Sequence, residues 1–205
     1  MKPLLVFLAL TFTASLHAQH LKLSADSKGV VVDGGPAGRL VLSGPVIVGS
    51  DKKGRKPTFL PAEDGASATA TYADGFVIKV DFSAVDGTIA YSFAQIPADA
   101  LLMKITAALP LSYNQGGTYA LNNDGASKPF PGEPGNQIIA QGASSQFNLT
   151  TGTGEGLSFT VPAAYHQLSD ARAWGAQGFS WTYFYDLKRY SNETRFTIQV
   201  ALIKK

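Results

Sequence analysis

The aromatic and basic side chains of this sequence are concentrated between residues 165 and 195. This segment holds both tryptophans, four of the eight tyrosines, three of the five arginines and one histidine: Trp174, Trp181, Tyr165, Tyr183, Tyr185, Tyr190, Arg172, Arg189, Arg195 and His166. Aromatic rings stack on the apolar faces of sugar rings, while arginine, amide and carboxylate groups form hydrogen bonds with sugar hydroxyls or carboxylates. The composition of the segment therefore predicts a carbohydrate-binding surface.

The expected ligand contacts are stacking aromatic residues and the polar side chains beside them. The expected ligand-binding residues are Arg172, Trp174, Tyr183, Tyr185, Asp186 and Lys188, with Tyr190 as a further stacking candidate. Packing is an alternative, because aromatic residues recur with period two from Phe179 to Tyr185, which is typical of the buried face of a strand. The sequence leaves open whether Trp181 and Tyr183 lie in the core or on the surface.

A polysaccharide lyase is an enzymatic alternative that uses the same segment. Elimination from a uronate needs a group that neutralises the carboxylate, a base for the C5 proton and an acid for the leaving oxygen. Tyr165, His166 and Tyr190 are the candidate catalytic residues for this reaction. Residues 183–190, Tyr-Phe-Tyr-Asp-Leu-Lys-Arg-Tyr, resemble the Tyr-Phe-Lys…Tyr strand of jelly-roll alginate lyases, and Tyr165-His166-Gln167 is similar to their Gln-x-His motif in reversed order. The Arg-x-Glu-x-Arg strand of those enzymes is absent, so the resemblance does not place the chain in that family.

The composition excludes several other classes of protein. Cysteine is absent, which excludes disulfides, thiolate metal sites and cysteine nucleophiles. The formal net charge of +2 is too balanced for nucleic-acid binding through a basic field. The four glutamates lie in turn-like sequence, which disfavours a glycosidase with paired carboxylates. We expect no cofactor and no metal ion, and the sequence leaves open a structural calcium ion at the Asn/Asp-rich turn of residues 122–124.

The elements that must position these residues are strands. Alternation of apolar and polar residues with period two runs through most of the chain, and Asp74-Gly75 and Asp86-Gly87 lie between alternating runs, where they predict hairpin turns. We predict an all-β fold, an antiparallel jelly-roll-like β-sandwich with roughly a dozen strands. Separate strands are expected at residues 137–141 and 147–149. Long rim loops are expected at residues 111–136 and 162–178, the second with one or two helical turns within residues 165–174.

The first residues have the pattern of an export signal. Lys2 precedes an apolar run, and Ala18 ends the segment with a small residue, so residues 1–18 are predicted to be a cleaved signal peptide. If cleavage fell one residue later, His20 would become the N-terminus and could form a copper site with His166. Residues 19–205 are predicted to form a single domain, secreted or periplasmic and of bacterial type because the chain is exported without disulfides.

These observations together predict a secreted β-sandwich protein that recognises an extracellular polysaccharide or oligosaccharide through residues 165–195. The alternatives are a polysaccharide lyase and a surface or structural protein without catalytic activity. Neither nucleic acid nor, after signal cleavage, a membrane is an expected partner. The sequence makes no prediction of the oligomeric state.

Overall fold

The computed structural model describes residues 20–121, 126–135 and 137–205. The predicted signal peptide and the candidate calcium turn lie outside the described residues. Over the described ranges the chain forms sixteen strands and three short 3₁₀ segments. No helix within these ranges is long and apolar enough to cross a membrane. The strands are β1 (Lys22–Asp26), β2 (Gly29–Asp33), β3 (Arg39–Ser43), β4 (Val46–Gly49), β5 (Gly54–Arg55), β6 (Thr58–Pro61), β7 (Ser67–Thr71), β8 (Val77–Ser83), β9 (Thr88–Ser92), β10 (Ala100–Ala108), β11 (Thr118–Leu121), β12 (Lys128–Pro129), β13 (Ile138–Thr150), β14 (Gly156–Asp170), β15 (Phe179–Asp186) and β16 (Arg195–Ile203). The 3₁₀ segments are Gly35–Ala37, Leu111–Tyr113 and Ala171–Trp174.

The described strands form one continuous antiparallel sheet that folds over itself into a sandwich. Its main path runs β1-β2-β3-β10-β15-β14-β16-β9-β8-β7-β6. Strands β4 and β5 branch from β10, and β13 branches from β14 and carries β11 and β12. The end strands β1 and β6 contact each other, so the sheet nearly closes. The predicted fold class, an all-β antiparallel sandwich, is confirmed.

Strand β14 joins the two layers of the sandwich. Its first part, Gly156 to Thr160, pairs with β16, whereas its last part, Tyr165 to Asp170, pairs with β15. Between these parts lies Pro162, which has no N–H to donate to a neighbouring strand. Strand β13 follows β14 along its other edge. The β13–β14 hairpin therefore runs from one layer into the other.

The inward face of β15 is aromatic and lies in the core. Its four rings are each at most 1% exposed: Phe179, Trp181, Tyr183 and Tyr185. Trp181 stacks on Phe147 of β13, with ring centroids 4.6 Å apart, and Tyr185 stacks on Phe196 of β16 at 4.4 Å. The aromatic rings of β15 thus fill the space between the layers, and the packing alternative for these residues is confirmed.

Glycines close the predicted hairpin turns. Gly75, with φ of 82°, lies between β7 and β8, and Gly87, with φ of 64°, lies between β8 and β9. At Gly87 a Cβ would lie 2.1 Å from the carbonyl oxygen of Val200, so no larger residue fits without moving β16. Both turns lie where the Asp-Gly pairs predicted them.

Two stretches that the sequence predicted as separate or irregular are continuous strands. Residues 137–141 and 147–149 belong to the single strand β13. The predicted rim loop at residues 162–178 is wrong in its first half, because β14 continues to Asp170 and the helical turn is limited to Ala171–Trp174. The inward residues here are His166, Leu168 and Asp170. Since two of these three are polar, the strand has no visible alternation of hydrophobicity.

Candidate functional site

The outer face of the β14–β15 pair carries two adjacent aromatic rings. Tyr165 on β14 and Phe184 on β15 lie directly opposite each other in the antiparallel register. Their ring centroids are 5.8 Å apart at an interplanar angle of 66°, an edge-to-face contact. Tyr165 is 42% exposed, and Phe184 is half-buried. A large exposed aromatic ring on a strand whose other face is fully packed has no structural partner on the solvent side, which makes it a candidate contact for a ligand.

A groove with a volume of about 290 Å³ lies over these two rings. We call it the outer groove. Its floor is apolar and one end is charged, and its lining residues are Leu102, Ala143, Ala163, Ala164, Tyr165, Phe184, Asp186 and Arg189. Strand pairing explains this set, because Tyr165 faces Ala143 on β13 and Leu102 on β10 faces Asp186 on β15. An apolar floor with a few polar groups at its edge is typical of a small-molecule or sugar site.

Two cations flank the outer groove. Lys104 on β10 lies opposite Phe184, and its Nζ is 5.9 Å from the Phe184 ring centroid. The guanidinium carbon of Arg189 is 5.6 Å from the ring centroid of Tyr190. Neither cation forms an ion pair with a residue in the described ranges. The charges of Lys104 and Arg189 are therefore available to a ligand.

The carboxylate of Asp186 has a structural role at the groove. Its Oδ1 accepts hydrogen bonds from the backbone N–H groups of Lys188 at 3.0 Å and Arg189 at 2.9 Å. This is an Asx turn, which fixes the chain as it leaves β15. Asp186, predicted to contact ligand, does line the groove, with one of its oxygens engaged by the turn.

Tyr190 fastens the same turn to β14. Its hydroxyl donates to the carbonyl oxygen of Ala163 at 2.8 Å, and its ring stacks on Tyr185 at 4.9 Å. Since Ala163 also lines the outer groove, this bond sets the position of the wall that carries Arg189. Tyr190 therefore acts as a positioning residue for the groove.

A polar row lies beside the aromatic pair, two residues further along each strand. Gln167 on β14 pairs with Thr182 on β15, which pairs in turn with Thr106 on β10. The hydroxyls of Thr106 and Thr182 are 3.2 Å apart, and the Gln167 amide nitrogen donates to Ser169 Oγ at 2.9 Å. Two residues of strand correspond to about 7 Å. Hydroxyl and amide groups thus extend the outer groove within reach of a bound sugar.

His166 lies on the opposite face of β14 from Tyr165 and is 0% exposed. The indole N–H of Trp181 donates to His166 Nδ1 at 3.1 Å, and Nε2 lies 3.1 Å from the Ser144 carbonyl oxygen. Because an indole can only donate, Nδ1 accepts and Nε2 carries the proton, which defines the neutral tautomer. Burial lowers the pKa of His166 to about 4, although the hydrogen bond to Ser144 acts in the opposite direction.

The three residues predicted for a lyase do not share a site. Tyr165 faces solvent, His166 faces the core from the next position of the same strand, and the Tyr190 hydroxyl is bonded to a backbone carbonyl. The side chains of consecutive strand residues point to opposite faces, so Tyr165 and His166 cannot reach one substrate. The structure brings together no acid and base from this set.

Tyr183 and Tyr185, predicted to stack on ligand, are core residues. They are 0% and 1% exposed. Burial raises the pKa of the Tyr183 hydroxyl above its ordinary value and that of Tyr185 to about 12. The prediction that Tyr183 and Tyr185 contact ligand at the surface is therefore wrong, because both side chains lie between the layers.

Arg172, also predicted to contact ligand, instead forms hydrogen bonds within the protein. Its Nε and Nη2 donate to the two carboxylate oxygens of Asp170, each at 2.9 Å. Its remaining bonds go to the carbonyl oxygens of Pro131, Gly132 and Glu133, and its guanidinium carbon lies 4.7 Å from the Phe179 ring centroid. The hydrogen bonds from Arg172 hold the pKa of Asp170 below its ordinary value. Arg172 therefore fixes residues 131–133 to the end of β14.

Trp174 and Lys188 are exposed as predicted, but outside the outer groove. Trp174 is 58% exposed on the 3₁₀ segment that follows β14. The five residue-to-residue steps from Tyr165 to Asp170 extend about 17 Å along the strand, which places Trp174 at the far end from the aromatic pair. Lys188 lies on the turn after β15 and does not line the groove.

Phe184, Lys104 and Arg189 were not predicted as site residues. Phe184 could have been predicted from the sequence. Ser180 and Thr182 share its face of β15, and an aromatic residue there interrupts an otherwise polar outer face. Lys104 could not have been predicted from the sequence, because only the register between β10 and β15 brings it beside Phe184.

The fold and the outer groove define a class, an antiparallel β-sandwich protein with a solvent-facing aromatic site on one layer. No protein-family model and no curated protein match the chain.

Proposed function

We propose that this protein is an exported, non-enzymatic protein that binds a polysaccharide at the outer groove. The observation that carries the proposal is the exposed ring of Tyr165, directly opposite Phe184 across two paired strands. A sugar ring laid on the exposed Tyr165 ring buries its apolar C–H face there, with Phe184 beside it on the groove floor, while its hydroxyls remain near the groove edge. The export signal predicted for residues 1–18 agrees with a ligand outside the cytoplasm.

The shape of the groove indicates shallow binding of a chain rather than enclosure of a small molecule. Its volume of about 290 Å³ is at the lower end of the ~300–1,000 Å³ typical of ligand pockets. The polar row formed by Gln167, Thr182 and Thr106 continues the site along the strands, where neighbouring sugars of a chain would lie. A polymer can occupy such an open track, with only one sugar unit over the aromatic pair.

The positions of the candidate catalytic residues favour binding over elimination. Tyr165 and His166 face opposite sides of β14, and both ring nitrogens of His166 are hydrogen-bonded within the core. A general base must reach the proton that it removes. We therefore assign the groove to recognition without cleavage.

Affinity gel electrophoresis against a panel of neutral and acidic polysaccharides tests the proposal. At least one polysaccharide is expected to retard the parent protein. Tyr165→Ala and Phe184→Ala are expected to reduce the retardation strongly, because Tyr165 provides the exposed ring and Phe184 holds it through their edge-to-face contact. Leu60→Ala, which removes an exposed apolar side chain on β6, serves as the matched control and is expected to migrate like the parent.

Two further results would overturn the proposal. If Trp174→Ala abolished retardation while Tyr165→Ala left it intact, the binding surface would be the 3₁₀ segment after β14 instead of the outer groove. A rise in absorbance at 235 nm during incubation with a uronate polysaccharide would show elimination, and the protein would be a lyase.

A further inference from the structure

We infer that the sugar unit bound in the outer groove carries a negative charge, as a carboxylate or a sulfate. This inference rests on the proposed function and names the chemical class of its ligand. It follows from the charges at the groove edge, which take no part in stacking on the aromatic rings.

The two cations stand on different sides of the aromatic pair. Across three neighbouring strands the order is Tyr165, Phe184, Lys104, because Phe184 is the direct partner of both other residues. Arg189 lies at the end of the groove near Asp186. Strands are about 4.8 Å apart, so Lys104 is two strands, or about 10 Å, from Tyr165. An acidic substituent on a stacked sugar would thus meet Lys104 if it points across the strands toward β10, and Arg189 if it points along them toward Asp186.

The carboxylate at the groove forms no ion pair with either cation. Asp186 accepts two backbone hydrogen bonds on Oδ1 and forms no ion pair within the described part of the chain. The charged residues that flank the groove are therefore two cations and one anion. Elsewhere in the described residues, Arg55 and Arg172 each bond to aspartates, which shows how this protein neutralises cations that serve its structure.

The attraction must be local. The formal net charge of the whole chain is only +2, and charges separated by more than about 8 Å are screened at physiological ionic strength. Selectivity for an acidic sugar would therefore come from contact with Lys104 and Arg189, and would weaken with added salt.

Matched pairs of glycans that differ only in charge provide the test. Polygalacturonate and its fully methyl-esterified form share a backbone, as do dextran sulfate and dextran, so the two pairs distinguish a carboxylate from a sulfate. Binding is measured by affinity electrophoresis and by calorimetry. The acidic member of at least one pair is expected to bind more tightly than its neutral partner.

Variants at the two cations assign this preference to the groove. Lys104→Gln and Arg189→Gln are each expected to weaken binding of the acidic glycan by roughly two- to fivefold, the range for exposed charge pairs. The same variants are expected to weaken binding of the neutral partner by a smaller factor, because its loss involves no charge pair. Lys56→Gln and Arg39→Gln remove exposed cations elsewhere and are the matched controls.

The outcomes separate this inference from the proposed function. Equal, Tyr165-dependent binding of acidic and neutral partners would overturn the inference and leave the proposed function standing. Absence of any Tyr165-dependent binding would overturn both. Acidic glycan binding that weakens equally in the control variants would reveal non-specific attraction and overturn the inference. Thermal unfolding followed by circular dichroism confirms that each variant is folded.

Discussion

The inner and outer faces of β14 and β15 carry the same kinds of side chain in opposite surroundings. On the inner face, Trp181 stacks against neighbouring rings and donates to His166. On the outer face, Tyr165 and Phe184 meet solvent over an open groove. The aromatic richness of a segment therefore does not by itself identify a binding surface. Successive residues of a strand point to opposite faces, so the position of an aromatic residue along the strand determines whether its ring packs in the core or faces a ligand.

The largest expected effect lies on the inner face. Trp181→Ala should lower the free energy of unfolding by about 3–5 kcal/mol, because it leaves a cavity between the layers and removes the hydrogen bond to His166. Urea denaturation followed by circular dichroism measures the change. Trp174→Ala, which removes the other, exposed tryptophan, should change stability by less than about 0.5 kcal/mol. Equal losses in the two variants would contradict the contrast between buried and exposed rings.

The second effect is a pH dependence that arises from the inner face. The pKa of His166 is about 4 in the folded protein and about 6.5 in an unfolded chain. Between these pH values the unfolded chain binds a proton that the folded protein does not. The free energy of unfolding should therefore fall as the pH decreases from about 6.5 to about 4, by up to about 3 kcal/mol.

Urea denaturation at several pH values in this window measures the dependence, and His166→Gln, which does not titrate, should remove it. Asp170 acts in a separate window. Because Arg172 lowers the pKa of Asp170 below its ordinary value of 3.8, its stabilising contribution is lost only at more acidic pH. An unchanged slope between pH 6.5 and 4 in His166→Gln would show that another group titrates there.

The smallest effect on stability is expected on the outer face. Tyr165→Ala should change the free energy of unfolding by about 1 kcal/mol or less, since Tyr165 is exposed on one side and loses an edge-to-face contact with Phe184. The same variant is expected to reduce glycan binding strongly, so stability and binding should separate at this residue. A stability loss comparable with that of Trp181→Ala would mean that Tyr165 is part of the packing, and the comparison between the faces would fail.

The sequence predicted the all-β fold because most strands alternate in hydrophobicity and because Asp-Gly pairs occur at their turns. It did not predict that β14 continues to Asp170, since the inward residues His166 and Asp170 are polar and become compatible with burial only through Trp181 and Arg172. Those two partners could not be identified from spacing along the chain.

The candidate site was predicted in part. The segment from residue 165 to 195 does contain the outer groove, and Tyr165, Asp186 and Tyr190 all contribute to it. Tyr183 and Tyr185 were assigned to the wrong face because both alternating positions of β15 contain aromatic residues near its end. Lys104 lies at the site because β10 pairs with β15. The register between strands that are distant in sequence cannot be predicted from the local alternation of apolar and polar residues.

Because β14 pairs with β16 in one layer and with β15 in the other, its backbone ties the two layers into one cooperative unit. If the two layers separated, β14 would lose its pairing with either β15 or β16, and the backbone groups freed in this way would be left without hydrogen-bond partners. Neither layer therefore forms a complete hydrogen-bonded sheet on its own. Amide protons along β14 should consequently exchange with solvent only when the whole sandwich opens. We therefore expect the outer groove, which is lined by residues of β13, β14, β15 and β10, to lie on the slowest-opening part of the molecule and to keep its shape until global unfolding.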